Sequence, residues 1–392
     1  MDLVLWEWVN LCVRWLHVIT AIAWIGSSFY FVHLDLSLRH RPHLPPEAGG
    51  EAWQIHGGGF YNMVKYLTAP ATLPEELTWF KWEAYTTWIS GFLLLCALYY
   101  RSPDLYLIDP GILALTPWQA VLASLLTLSM GWIGYDLMCR SALGRSDLRL
   151  ALAGFVYLLV LAFLFAHVFS GRGALLQTGA LIGTMMVANV FIVIIPNQTK
   201  VVKALLKGEK PDPALGKAAK QRSLHNNYLT LPVLFLMLSN HYPLVIGARY
   251  AWAMVGVVLI MGAAIRHFFN SRHAHKPSPW WTWIVAALGL LALVLLGLAG
   301  PADAEDAAAL RGAAGDIVIS RCSMCHTAEP GWPGLAAAPR GIRLDDEAMI
   351  DRNAELIRLW AVQSHVMPPG NVTEMTPEER LVLDHWTAMA AP

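Results

Sequence analysis

Cys322 and Cys325 stand three positions apart, and His326 follows at once, in the run Arg321-Cys-Ser-Met-Cys-His326. Two thiols at this spacing add across the two vinyl groups of a haem, and the next residue is held under the iron. C-x-x-C-H is the attachment signature of a c-type haem, with His326 as the proximal ligand. A disulfide or half of a zinc site would use the same pair, but a zinc ribbon needs a second cysteine pair and no cysteine follows Cys325. The distal ligand of such an iron is expected to be a thioether. Met367, in Val-Met-Pro-Pro-Gly, is the choice, because two prolines stiffen the loop that presents the sulfur. Met349, Met375 and His365 are its rivals. A carbonyl of Pro333-Gly334 is placed to orient the His326 ring.

A second set of groups lies in or beside apolar runs, where an ionisable side chain marks a functional site unless it is merely bonded at a helix end. The histidines sort into two layers. His17, His167 and His241 form one. His33, His56, His225 and His267 form the other, with Asp35, Glu83 and the pair Asn226-Asn227. A b-type haem between two helices takes one imidazole from each, and His17 with His167, or either with His241, would serve.

The elements that must position these groups are membrane helices. The chain has 392 residues, of which 56% are hydrophobic and 14% charged, with 17 Trp. That is too apolar for a soluble chain of this length. Lys+Arg and Asp+Glu balance at 28 each, so no bulk charge points to nucleic acid. Cys12, Cys96 and Cys139 lie in or beside apolar runs and read as small buried hydrophobes. Asp2 and Glu7, not a basic segment, precede the first apolar run. Apolar length predicts about eight spans, near 10–34, 82–100, 111–138, 149–170, 174–196, 228–242, 245–268 and 281–299. The sixth is short and carries Pro232, so it is tilted, kinked or re-entrant. Residues 35–80 form a loop too long for a simple connector. Its glycines, Gly57 to Gly59, lack the ending of a phosphate loop and read as flexible or close-packed backbone. The fold class is therefore all-α: a polytopic helix bundle over 1–300 and a small class I-like cytochrome c domain over 301–392. A polar linker begins at Pro301. One helix leads into Cys322, and a last one starts at Pro377 and Glu378. In small cytochromes c such terminal helices cross and brace the haem.

Loop charge orients the bundle. Arg140, Arg145 and Arg149 follow span three. Seven Lys and Arg between Lys200 and Arg222 follow span five, and Arg266, Arg272 and Lys276 follow span seven. The alternate loops are nearly bare. The basic set belongs in the cytoplasm, so both termini face the periplasm of a bacterial inner membrane. Haem attachment to cysteine also takes place outside the cytoplasm, and the two arguments agree.

Three stretches resemble the membrane-integral urate oxidase family of bacterial purine breakdown, whose members end in a cytochrome c domain. They are WLHVITAIAWIGSSFYFVHLDLSLR, GGGFYNMVKY followed by LPEELTWFKWEAYTTWISGFLLL, and HNNYLTLPVLFLMLSNHYP. With CSMCH at the far end, the resemblance spans the whole chain. It implies oxidation of urate to 5-hydroxyisourate, with electrons passing to cytochrome c and on to an acceptor such as a soluble cytochrome or terminal oxidase. It carries no catalytic residues over. A site for this planar anion needs matched donors, an apolar or aromatic slot, and a base that positions water. The candidates are His225 or Glu83 as base and Asn226 and Asn227 as edge readers, with His33 and Lys65 beside them. The Asn pair could equally cap span six. Two electrons must leave urate, and such a site lies roughly 30 Å, most of a bilayer, from the c haem. A second redox centre, the b haem, is expected to bridge that gap.

Span one alone supports another reading. His17 to Gly26 reads H-x6-W-x-G, which is similar to b-haem membrane proteins that oxidise protoporphyrinogen. A quinol- or porphyrinogen-oxidising cytochrome is thus the alternative. A transporter with a tethered cytochrome ranks below both, since only span six looks interrupted.

Overall fold

The computed structural model describes residues 2–67, 70, 73–246, 248, 250–298 and 307–390. The linker expected from Pro301 lies outside them. The chain opens with α1 (Asp2–Ser37), followed by two strands, β1 (Ala48–His56) and β2 (Gly59–Tyr66). Next come α2 (Trp82–Leu94), α3 (Pro103–Tyr106), α4 (Pro117–Arg140), α5 (Asp147–Ala166), α6 (Gly171–Ala188), α7 (Ile195–Leu206) and α8 (Pro213–Ser239). The bundle ends with α9 (Pro243–Ile246), α10 (Ala251–His273) and α11 (Trp281–Leu298). The tail holds α12 (Ala307–Cys322), α13 (Glu347–Arg352), α14 (Ala354–Ile357) and α15 (Pro377–Ala390).

Six helices among the described residues are long and apolar enough to cross a membrane, against about eight spans expected. The other two segments differ for visible reasons. α2 has 13 residues and runs on as a widened, π-type stretch over Leu95–Tyr100. α8 begins at Pro213, well before the apolar run, so much of it is polar, and it carries Pro232 inside. Gly262 of α10 leaves room for that proline ring. α6 and α7 form one continuous pass through a π-type stretch at Asn189–Ile194. Helix starts follow local chemistry. Thr116 and Gln119 form a capping box before α4, with Pro117 first in the helix. Ser146, Ser170 and Asp212 cap α5, α6 and α8.

The described residues are mostly helical, as expected, and the strands correct only the reading of residues 35–80 as a loop. β1 and β2 pair antiparallel, His56 opposite Gly59. The two-residue turn Gly57-Gly58 has φ of 58° and 82°, the positive values that a tight hairpin requires and glycine adopts freely. Buried Glu51 accepts from Asn62 Nδ2 at 2.8 Å and Trp53 Nε1 at 3.1 Å. The Asn62 hydrogen bond holds its carboxyl below the usual carboxylate range. The hairpin is tied to α1 by Lys65 Nζ to Asp35 at 2.5 Å and by Tyr30 Oη to Gln54 Oε1 at 2.6 Å.

The main core runs through the bundle and includes Phe165, Phe169, Leu181, Ile182, Met185 and Leu236. Outside it, Leu148, Leu152, Val156, Val160 and Phe163 line one exposed face of α5. So large an apolar surface suits lipid rather than water. Cys12 is also exposed on α1, so the buried reading holds for Cys139 and not for Cys12. Gln221 donates to the Gly144 carbonyl at 2.9 Å, and His33 meets His273. The basic loops are thereby gathered at one end of the bundle.

The tail docks on the opposite end. Its own core joins Ala314, Val318, Ile350, Ala361, Leu383 and Trp386. α12 packs on α15, where Arg321 pairs with Glu379 at 2.9 Å. Val366 and Trp360 reach into the main core. Gly370, at φ 57°, lies so close to the carbonyls of Asp104 and Ile108 that no Cβ would fit.

Candidate active site

A cavity of about 890 Å³ lies where tail and bundle meet, lined on the tail side by Cys322, His326 and Met367 and on the bundle side by His17, Trp24 and His241. This volume is within the roughly 300–1,000 Å³ of small-molecule and cofactor sites. α12 ends at Cys322, and the chain then turns, with the His326 amide donating to the Cys322 carbonyl at 2.9 Å. His326 Nδ1 donates to the Ile342 carbonyl at 2.9 Å. That bond sets the tautomer and leaves the Nε2 lone pair for a ligand. The orienting carbonyl is therefore Ile342, not Pro333 or Gly334, which are nearer only in sequence. No disulfide joins the two thiols, and burial pushes Cys322 up to about 12 and Cys325 upward.

Of the four distal candidates, Met367 alone lines this cavity with Cys322 and His326. Met375 is buried in the tail core. Met349 sits in α13, its amide accepted by Asp346 at 2.8 Å. His365 faces a neighbouring cavity of about 350 Å³ beside Arg380, and burial pushes its imidazole down to about 4.

On the bundle side, α1 and α2 aim His17. Its Nδ1 donates to the Thr87 carbonyl at 3.0 Å and lies 3.2 Å from Ser90 Oγ. Nε2 is left over, as in His326. Gly91 lets the helices close: a Cβ there would be 2.8 Å from His17 Cε1. His17 and His241 share the cavity, whereas His167 stays outside it, its Nδ1 on the Phe163 carbonyl at 2.8 Å.

The basic-loop end does not gather its six sequence candidates. Lys65 is spent on Asp35, and Glu83 opens α2. His225 and Asn226 belong to a closed network. Tyr135 Oη lies 2.7 Å from His225 Nδ1, Asn189 Nδ2 donates to Tyr135 Oη and Asn226 Oδ1, and Arg222 donates to Asn189 Oδ1 at 3.0 Å. Arg222 is also paired with buried Asp136 at 2.6 Å. A network so fully satisfied rigidifies the packing of α4, α6 and α8. Asn227, one residue on, faces elsewhere. Its Oδ1 accepts from Arg266 Nε at 3.3 Å and Asn270 Nδ2 at 2.9 Å. His33 sits edge-on to His273, with ring centroids 4.2 Å apart. Asp136, Asn189 and His273 escaped the sequence reading, and Arg266 entered it only as a basic residue counted after span seven. Asp136 and Asn189 lie inside expected spans, and a polar group inside a span is the signal that would have found them.

The model of a family described as "Urate oxidase N-terminal" matches residues 3–297. The chain belongs to that family. Membership suggests an oxidoreductase acting on urate. No curated protein and no solved structure matches the chain. The matched region carries every bundle residue described above, including His17, His241 and both polar networks. The tail with Cys322, His326 and Met367 lies beyond it. The cavity thus joins residues of the family region to residues of the tail.

Proposed function

We propose that the chain is a membrane-bound urate dehydrogenase. It oxidises urate and water to 5-hydroxyisourate, two protons and two electrons, and passes the electrons to a c-type haem on the tail. The observation that carries the reading is the shared cavity: His17 on one wall and Cys322, His326 and Met367 on another. The tail residues fit the cofactor. Two thiols at a helix end suit covalent attachment. A histidine with Nδ1 committed to a carbonyl suits proximal ligation, and a thioether across the cavity suits distal ligation. His17 and His241 would hold a b-type haem in the bundle, one imidazole from each of two segments. When bound, these groups supply one-electron acceptance, so two centres match the two electrons of urate.

The protein's own part is to orient and to exclude water. Thr87 and Ser90 fix the His17 ring, Ile342 fixes His326, and Trp24 and Leu95 add apolar wall. The basic loops belong in the cytoplasm and the tail in the periplasm, where a soluble cytochrome or terminal oxidase would collect the electrons.

Anaerobic mixing of the full-length protein with urate tests this. Prompt appearance of reduced c and b bands is expected. Reduction by quinol or a porphyrinogen but not by urate would overturn it in favour of the other oxidoreductase. A reduced c band with no b band and no non-covalent haem would remove the second centre.

A further inference from the structure

Among the described residues of the bundle two arginines are buried, and only one has a carboxylate. Arg222 is 3% exposed and pairs with Asp136. Arg266 is 5% exposed, and among the described residues no carboxylate pairs with it. Its guanidinium meets two neutral amide oxygens, Asn227 Oδ1 at 3.3 Å and Asn270 Oδ1 at 3.1 Å, and lies over the Phe29 ring at 3.9 Å. A buried charge is costly unless it is paired, so an unanswered one calls for a counter-ion from outside the chain. Two of the five N–H donors of the guanidinium are used on the amides, which leaves three for a ligand. The ring behind it holds its plane.

A second observation points the same way. Asn227 is fully buried, and its Oδ1 accepts from both Arg266 and Asn270. Those two bonds settle which end of the amide is oxygen, and Nδ2 is left buried with no partner. His33 Nδ1 and His273 Nδ1 are likewise buried and unpartnered. Arg266, Asn270 and His273 share one face of α10, spaced i, i+4 and i+7, while Phe29 and His33 share one face of α1. The Arg266 guanidinium of α10 and the unpartnered Nδ2 of Asn227 on α8 thus stand together beside the Phe29 ring of α1, and the two unpartnered imidazole nitrogens lie further along α1 and α10.

That level adjoins the cavity. Ile25 on α1 lines the cavity, and Phe29 is four residues further along the helix, about 6 Å. A ligand held by Arg266 would lie just under the cavity floor, not a bilayer away from it.

We infer that Arg266 and Asn227 bind the substrate as a planar purine anion, the guanidinium as its counter-ion and Asn227 Nδ2 as a donor to a ring carbonyl. The inference rests on the urate reading and gives its substrate a place, at the junction of α1, α8 and α10. A carboxylate of a cofactor in the cavity could answer the same cation, and the test separates the two.

The probe is urate, measured by equilibrium dialysis against full-length protein in detergent. The protein is reduced beforehand so that no turnover consumes the probe. Two variants are compared with wild type. Arg266→Gln removes the charge. Asn227→Asp supplies an internal carboxylate, which satisfies Arg266 and competes with an anion. Both are expected to weaken urate binding about tenfold or more. Non-covalent haem content should be unchanged, and Asn227→Asp should melt no lower than wild type. If wild type is reduced by urate but Asn227→Asp binds it as before, the inference falls and the urate reading stands. If Arg266→Gln loses non-covalent haem, the counter-ion is a cofactor carboxylate and the inference falls. If wild type neither binds urate nor is reduced by it, both fall.

Discussion

Single residues decide what the tail cavity can hold. His326 and Met367 line it with Cys322, while Met349, Met375 and His365 do not. Cys322→Ser should abolish covalent attachment, seen as loss of the haem-stained band on a denaturing gel; an unchanged band would refute the attachment. Met367→Ala should keep the band and lower the midpoint potential, because thioether ligation favours reduced iron. An unaltered midpoint would move the ligand to another residue. The C-x-x-C-H run was legible because all its parts are adjacent in sequence. The role of Ile342 was not, since it lies 16 positions from His326 and meets it only through the fold. The same limit hid the division of labour in Asn226-Asn227. Adjacent residues point about 100° apart on a helix, so one joins the Arg222 network and the other joins Arg266.

At the scale of elements, the packing of α1 on α2 aims His17. Gly91 sits where a side chain would press on the imidazole. Gly91→Ala should displace the ring and lower non-covalent haem content while covalent haem stays complete, measured by pyridine haemochrome. Equal loss of both haems would mean general misfolding instead. Apolar length found the six long spans well, because lipid imposes it directly. It did worse for α8, whose first turns from Pro213 are polar yet helical. The hairpin was missed although its turn was in plain view. Gly57-Gly58 between two paired runs is a hairpin signal, whereas the sequence reading takes the glycines only as flexible or close-packed backbone.

At the scale of the whole molecule, the tail closes the cavity by docking on α3 and α9. Gly370 lies against the carbonyls of Asp104 and Ile108. Gly370→Val should loosen that seat. Reduction of the tail haem by dithionite should be unaffected, and its reduction by urate should slow about tenfold or more, as expected when an approach of even 1 Å matters. Equal rates with urate would mean that electrons leave the bundle by another route.

Composition and run lengths by themselves determined where the six helices long and apolar enough to cross a membrane lie, and the spacing of three residues is what the proposed haem chemistry of the tail rests on. Both are local: hydrophobic length answers to lipid thickness, and vinyl groups answer to adjacent thiols. What only the tertiary structure decided is which distant groups share a space. It put His17 and His241 on one cavity and left His167 outside. It answered Arg222 with Asp136 and, among the described residues, left Arg266 without a carboxylate. Those outcomes depend on the rotation and depth of each helix against its neighbours. Packing sets both across residues far apart in sequence, and no linear spacing encodes either one.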